Sequence, residues 1–166
     1  MKKLFLLLLV VLPLNAFSQE RLSITTGISF PDFINFGLRY QVEQLQVGIS
    51  YGFWPIPDES LNNFSGNIYY HFGGSSQYTD LRTWYGGIGL LYLKDESEYS
   101  IDKYLYLNTR IGKEFNISEH AGFTLEVGAI FELSNEYVVK QPSYFGGIDV
   151  EAPVLPCLGL GFFYRL

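Results

Sequence analysis

Along most of the chain beyond residue 21, apolar side chains recur at every second position. The last stretch shows this most plainly. Leu158, Leu160, Phe162, Tyr164 and Leu166 alternate with Cys157, Gly159, Gly161, Phe163 and Arg165. Successive side chains leave a strand on opposite sides, so a period of two marks a strand with one apolar face. The same alternation predicts strands at Leu22–Ser29, Ile34–Gln41, Leu45–Phe53, Phe64–Phe72, Thr83–Leu93, Leu105–Glu114 and Phe123–Leu133. Segments rich in Pro, Gly, Asp, Asn and Ser separate them, as turns require. The fifth strand is the least regular, because both of its faces carry apolar residues. Trp84, Ile88, Leu90 and Tyr92 are assigned outward, and Tyr85, Gly87 and Gly89 inward.

Eight strands joined by hairpins make an all-β chain, and the closing strand decides how they are arranged. A strand that ends on an aromatic-aliphatic ladder invites association if its edge is left open, and pairing it with the first strand removes the edge. The face opposite the apolar one is rich in Gly, Ser, Asn and Thr and poor in charge. That composition suits a crowded narrow interior, where glycine makes room for long polar side chains, better than it suits a water-exposed surface. A lipocalin-like soluble barrel has the reverse polarity. The expectation is an eight-stranded antiparallel up-and-down transmembrane β-barrel.

Composition changes the picture at the amino terminus. Lys2 and Lys3 precede an apolar run, Leu4–Leu14, and Ala16-Phe17-Ser18 forms a small-x-small site. This predicts a cleaved secretory signal peptide over 1–18 and a single barrel domain over 19–166. The apolar run is too short to span a bilayer as a helix. Mean hydropathy of +0.11 with 17% aromatic and 17% charged residues is apolar for an exported soluble domain, and a barrel resolves this by placing apolar side chains in lipid. The net charge of −6 argues against nucleic acid as a partner. Cys157 is the only cysteine, which excludes an intrachain disulfide. Two histidines far apart and no paired cysteines point to no transition-metal centre, and no cofactor is expected.

The terminal residues GLGFFYRL resemble the closing strand of bacterial outer-membrane β-barrels, and the ladders together resemble small barrels of the OmpA/OmpX type. Leu166 departs from the family, whose members more often end on Phe. The resemblance implies the outer membrane of a Gram-negative bacterium, with membrane lipid and lipopolysaccharide as surroundings. It also implies that the barrel-assembly machinery reads the closing strand through Leu158, Leu160, Phe162, Tyr164 and Leu166. With the amino terminus entering from the periplasm, Val42–Gln44, Gly73–Leu81 and Asn116–His120 are periplasmic. Phe30–Phe33, Trp54–Asn62, Lys94–Asp102 and Ser134–Pro153 are then external.

Candidate chemistry falls in two places. Arg39, Arg110, Glu114, Glu126, Glu132 and Arg165 face inward, with His71 near the periplasmic rim, and form a predicted polar network in the lumen. A turn symmetric about Ser118 sets Arg110 directly across from Glu126, with Arg39 at a similar height. Such a set reads as a plug that rigidifies the barrel, the alternative being a gated ion path. Gly128, on the same face, is expected to accept a hydroxymethyl group. Outside, Asp95, Glu96, Glu98 and Asp102 form an acidic loop with Lys94 and Lys103, read as a solvated loop, a divalent-cation bridge to lipopolysaccharide phosphate, or a site for an external partner. Ser118-Glu119-His120 holds the residue types of a hydrolase, but neighbours in a tight turn do not converge as nucleophile, base and orienter. The expectation is a non-enzymatic structural or interaction barrel without catalytic residues. The alternatives are a lipid-modifying enzyme of the acyltransferase or deacylase type, and a narrow gated channel.

Overall fold

The computed structural model describes residues 22–56, 59–140 and 153–166. The expected signal peptide and most of the last external loop lie outside the described residues. The strands are β1 (Leu22–Phe30), β2 (Phe33–Val42), β3 (Leu45–Ile56), β4 (Glu59–Gly73), β5 (Trp84–Glu96), β6 (Ser100–Asn116), β7 (Ala121–Val139) and β8 (Val154–Arg165). They form a closed antiparallel barrel in chain order, sealed where β8 pairs β1 from Ser23↔Arg165 to Phe30↔Leu158. Both described ends, Leu22 and Leu166, lie at one end of it, called here the terminal end.

The register fixes how wide the barrel is. From Ile24 the ladder passes through Leu38, Ile49, Gly66, Leu90, Leu107, Phe131 and Val154. Val154 is four residues before Leu158, whose partner is Phe30, so the circuit returns at position 34, a stagger of ten residues from its start. Eight strands with this shear tilt by about 40° and enclose an interior just wide enough for side chains.

The polarity of the wall follows the sequence period. Among the described residues, thirty-six large hydrophobic side chains are exposed and eight are buried. A water-soluble fold reverses that ratio. Aromatic residues gather near the ladder ends, with Tyr70, Phe72 and Trp84 toward the terminal end and Phe30, Trp54 and Tyr92 toward the far one. This is the arrangement of interfacial girdles.

The strands run further than the apolar period indicates. Trp54–Asn62, expected as a loop, is largely ladder, with Trp54↔Leu61 and Pro55↔Ser60 paired. The expected acidic loop is also mostly strand. Asp95 and Glu96 end β5, Asp102 belongs to β6, and Glu98 sits in a tight turn closed by Ser97 N–H to the Ser100 carbonyl at 3.0 Å. β6 and β7 stay paired out to Ser100↔Val139. In this region both faces of β7 are exposed, so no face has reason to be apolar, while the backbone ladder persists.

Inside, the barrel has two layers. At the far end Leu91, Leu93, Tyr106, Ile130 and Cys157 form an apolar cluster, with Phe33, Leu61, Tyr104 and Leu155 packed against it. Leu91 and Leu93 explain the irregular fifth strand, because they face inward into this layer. Below them the interior is polar, and glycines make the space. A Cβ at Gly87 would press on the Tyr69 ring, and one at Gly48 would press on Arg39. Gly128 corrects the sequence expectation: a Cβ there would meet the Thr109 carbonyl of the neighbouring strand, which cannot move aside.

Two adjacent substitutions on β7 test this wall. Val127→Arg puts a cation on the exposed apolar face and is expected to cost ~2–4 kcal/mol in a bilayer. Gly128→Ser is expected to destabilise by ~1–3 kcal/mol through overpacking against backbone. Urea unfolding in lipid vesicles measures both, and a neutral Gly128→Ser would show that the β6–β7 register is wrong.

Candidate functional site

The polar layer is built around Glu126, on the inward face of β7. Its Oε2 accepts from Arg110 Nη1 at 3.0 Å, and its Oε1 accepts from Arg39 Nη2 at 3.1 Å and from Tyr85 Oη at 2.6 Å. Arg39 lies over the Tyr69 ring, 4.2 Å from its centroid, so the guanidinium has an aromatic face below and a carboxylate at its edge. These residues come from β2, β4, β5, β6 and β7 and meet at one level because the tilt carries each strand across the interior.

Arg110 and Glu126 meet, but not through the register expected. The turn is Ile117–His120, closed by Ile117 N–H to the Ala121 carbonyl at 2.9 Å, and it is centred on Glu119. Arg110 therefore lies opposite Gly128, and Glu126 opposite Gly112. The long guanidinium spans the diagonal. Asn108 Oδ1 holds Arg110 Nε at 2.9 Å, and the hydrogen bonds continue through Asn67 and Ser65 to Ser50, across to β3.

The second carboxylate of the cluster is Asp32, which sequence reasoning placed in an external turn. Pro31 and Asp32 are buried, and the β1–β2 tip folds into the lumen. Asp32 Oδ2 pairs with Arg110 Nη2 and accepts from Ser29 Oγ at 3.0 Å, while the Asp32 carbonyl accepts from Asn63 Nδ2 at 3.0 Å. The wall is shaped for the tip, since a Cβ at Gly52 would collide with the Asp32 carbonyl oxygen. Phe33, at φ 55°, completes the tip in a conformation that bulky residues rarely adopt. Two arginines thus face two carboxylates, and the buried charge cancels.

Glu132, expected in this network, stands apart from it. It pairs with Tyr106 beside a β-bulge, at the level of the apolar layer, and is only half-buried. Asp32 takes the place that sequence reasoning gave to Glu132. One signal pointed there: without Glu132, the inward arginines outnumber the inward glutamates by one. Arg165 and Glu114 form a second pair nearer the terminal end, at 2.7 Å, with Arg165 Nη1 also donating to Asn116 Oδ1 at 2.7 Å. His71 is fully buried beside Tyr85, its Nδ1 2.5 Å from the Arg82 carbonyl.

Among the acidic residues at the far end, Glu96 is clasped by Lys94 at 2.5 Å and Lys140 at 2.6 Å. Glu136 pairs with Lys103 at 3.1 Å. Lysines from the same rim thus already neutralise these carboxylates. The closing-strand ladder faces outward, with Leu158, Leu160, Phe162, Tyr164 and Leu166 all exposed.

Around the central cluster the remaining void measures about 40 Å³. A water needs about 10–15 Å³ of such space, so among the described residues this void has room for a few waters. The arrangement is a charge-balanced, hydrogen-bonded plug under an apolar lid.

Comparison with known proteins places this architecture. No family model and no curated protein matches the chain. Among solved structures, the crystal structure of Acinetobacter baumannii CarO is similar, with a TM-score of 0.53 at 11% identity, covering 89% of this chain and 98% of that one. The two share a fold. At that identity the correspondence does not extend to individual side chains.

Glu126→Gln strands two guanidiniums in a poorly solvated space, and a loss of ~3–5 kcal/mol is expected. The double replacement Arg39→Met with Glu126→Gln should recover part of this, with a coupling of ~1–3 kcal/mol in vesicle unfolding. Asp32→Asn should also cost several times the ~0.5 kcal/mol typical of a surface turn. An effect within that limit would put Asp32 outside the plug.

Proposed function

We propose that the protein is a non-enzymatic outer-membrane barrel of a Gram-negative bacterium, exported through a signal peptide. It is closed to solutes and serves envelope structure or contact at its outer face. The observation that carries this reading is the pairing of an apolar outer wall with a neutral, cross-linked interior. A wall of this kind is stable only against lipid, and every backbone polar group in it is satisfied by closure. Among the described residues, an interior so filled favours a closed barrel over a channel or a substrate site.

The fold shared with CarO supports the outer-membrane reading, as does the likeness to OmpA/OmpX-type barrels noted in the ladders. The terminal end then faces the periplasm, and the far end, with its lysine-glutamate rim, faces outward toward lipopolysaccharide. The exposed ladder of β8 suits recognition by the assembly machinery. His71 is locked in the lumen, and His120 lies beside Tyr164 at the terminal end, 6.1 Å between ring centroids. Neither stands at an outer-leaflet site where a lipid acyltransferase or deacylase would work. These positions favour the non-enzymatic reading.

Two measurements test it together. Folded protein should be heat-modifiable, so that unboiled and boiled samples migrate differently on detergent gels. Vesicles carrying the folded barrel should swell in a small sugar no faster than empty ones. Solubility in plain buffer with identical migration would defeat the membrane reading, and fast swelling would favour a channel.

A further inference from the structure

Charge at the terminal end is segregated in a way that the plug does not explain. Glu43, Asp80 and Glu119, with Arg165, line a polar recess of about 640 Å³ at the barrel mouth, and Ser76 stands between it and the recess beside Lys113. Lys113 instead lies on the outer side of β6, between Gly112 and Glu114, which are both buried. Its neighbour Glu114 gives its carboxylate to Arg165 in the lumen. Among the described residues Lys113 forms no ion pair. Its ammonium rests 5.2 Å from the Trp84 ring centroid and 5.0 Å from that of Phe115. Trp84 is its direct partner across the β5–β6 ladder, and Phe115 stacks on Phe123 at 4.7 Å. The other cation on the outside of this end, Arg82, donates from Nη1 to the Phe72 carbonyl at 2.8 Å.

A second recess, of about 390 Å³, opens beside Lys113 and is walled by the turn that leaves β4. Gly74 makes that turn at φ +77°, where a Cβ would meet the Thr83 side chain. Ser75 and Ser76 bring hydroxyls to the recess. Ser76 Oγ accepts from Tyr78 N–H at 3.2 Å, which leaves its own proton free to donate. A lysine on a lipid-facing wall is costly at mid-bilayer and nearly free at the interface, where its stem lies on apolar surface and its head reaches the polar layer. Along the wall from Lys113 toward the far end, Ile111 and Ile88 expose apolar surface to acyl chains.

We propose that Lys113, Trp84 and the Ser75–Ser76 hydroxyls bind the headgroup phosphate of an anionic phospholipid in the leaflet at the terminal end. The proposal rests on the membrane reading above. Charge complementarity selects this occupant. An ammonium without an ion pair and hydroxyl donors meet an anionic phosphate at interface height, and the acid that lines this recess, Glu114, is neutralised by Arg165.

Trp54→Phe leaves Trp84 as the single tryptophan. In vesicles, quenching of Trp84 by bromine-labelled phosphatidylglycerol, compared with bromine-labelled phosphatidylcholine, gives the relative affinity of this surface for the two lipids. A preference for phosphatidylglycerol is expected. Lys113→Gln in the same background should lower it about fivefold, and Lys113→Arg should keep it. Heat-modifiability shows that each variant is folded. A folded Lys113→Gln variant with undiminished preference overturns the proposal. So does loss of the preference when inorganic phosphate replaces chloride at equal ionic strength, because the site would then take a free anion. A chain that never becomes heat-modifiable in vesicles removes the membrane reading itself, which separates the two failures.

Discussion

The structure depends on closure. Once β8 is hydrogen-bonded to β1, the strand number and the ten-residue stagger fix the diameter, and the diameter fixes what the interior can hold. The residues inside are a consequence of that circumference. Tyr69, Tyr85, Arg39 and Arg110 are large, so the positions around them are glycine, and the charges they carry must cancel because water is nearly absent. A substitution at Glu126 is therefore felt on β2, β5 and β6 at once.

The two interior layers divide the labour of filling this space. Near the far end, apolar side chains pack as in any protein core and need no partners. Toward the terminal end the interior is polar, and each buried charge of the two clusters meets at least one partner of opposite sign. Glu126 sits between two arginines and Arg110 between two carboxylates, so each of these two ions has two partners of opposite sign. A buried ion that loses its partner is costly, so a network of this type favours one arrangement.

The legible part of this fold is the part where one face meets lipid and the other meets a crowded lumen. There the period of two named all eight strands and assigned their faces correctly, including Trp84 and Tyr85 on the irregular fifth strand. Above the apolar belt the signal vanished. Residues such as Glu136 and Tyr137 are exposed on both sides, and their pairing with Lys103 and Asp102 rests on backbone bonds that leave no mark in side-chain polarity. Asp32 was hidden for a different reason. A Pro-Asp pair marks a turn, and nothing local says that the turn folds inward to meet an arginine 78 residues away. Gly128 could not be told from the glycines that merely make room, because its close approach is to backbone across a ladder two residues out of the expected register.

Sequence separation within the plug has a bearing on how the barrel is made. Arg39 and Glu126 are 87 residues apart, and Arg165, in the last strand, meets Glu114 on β6. Hairpins can form while these ions are still apart, each in water or near headgroups, but the neutral lattice exists only when the wall is complete. A barrel that stalls open would therefore hold bare guanidiniums against a lipid-filled cleft. Such an open form lacks the charge cancellation of the closed wall, so the plug adds to the energy gap between finished and partial barrels.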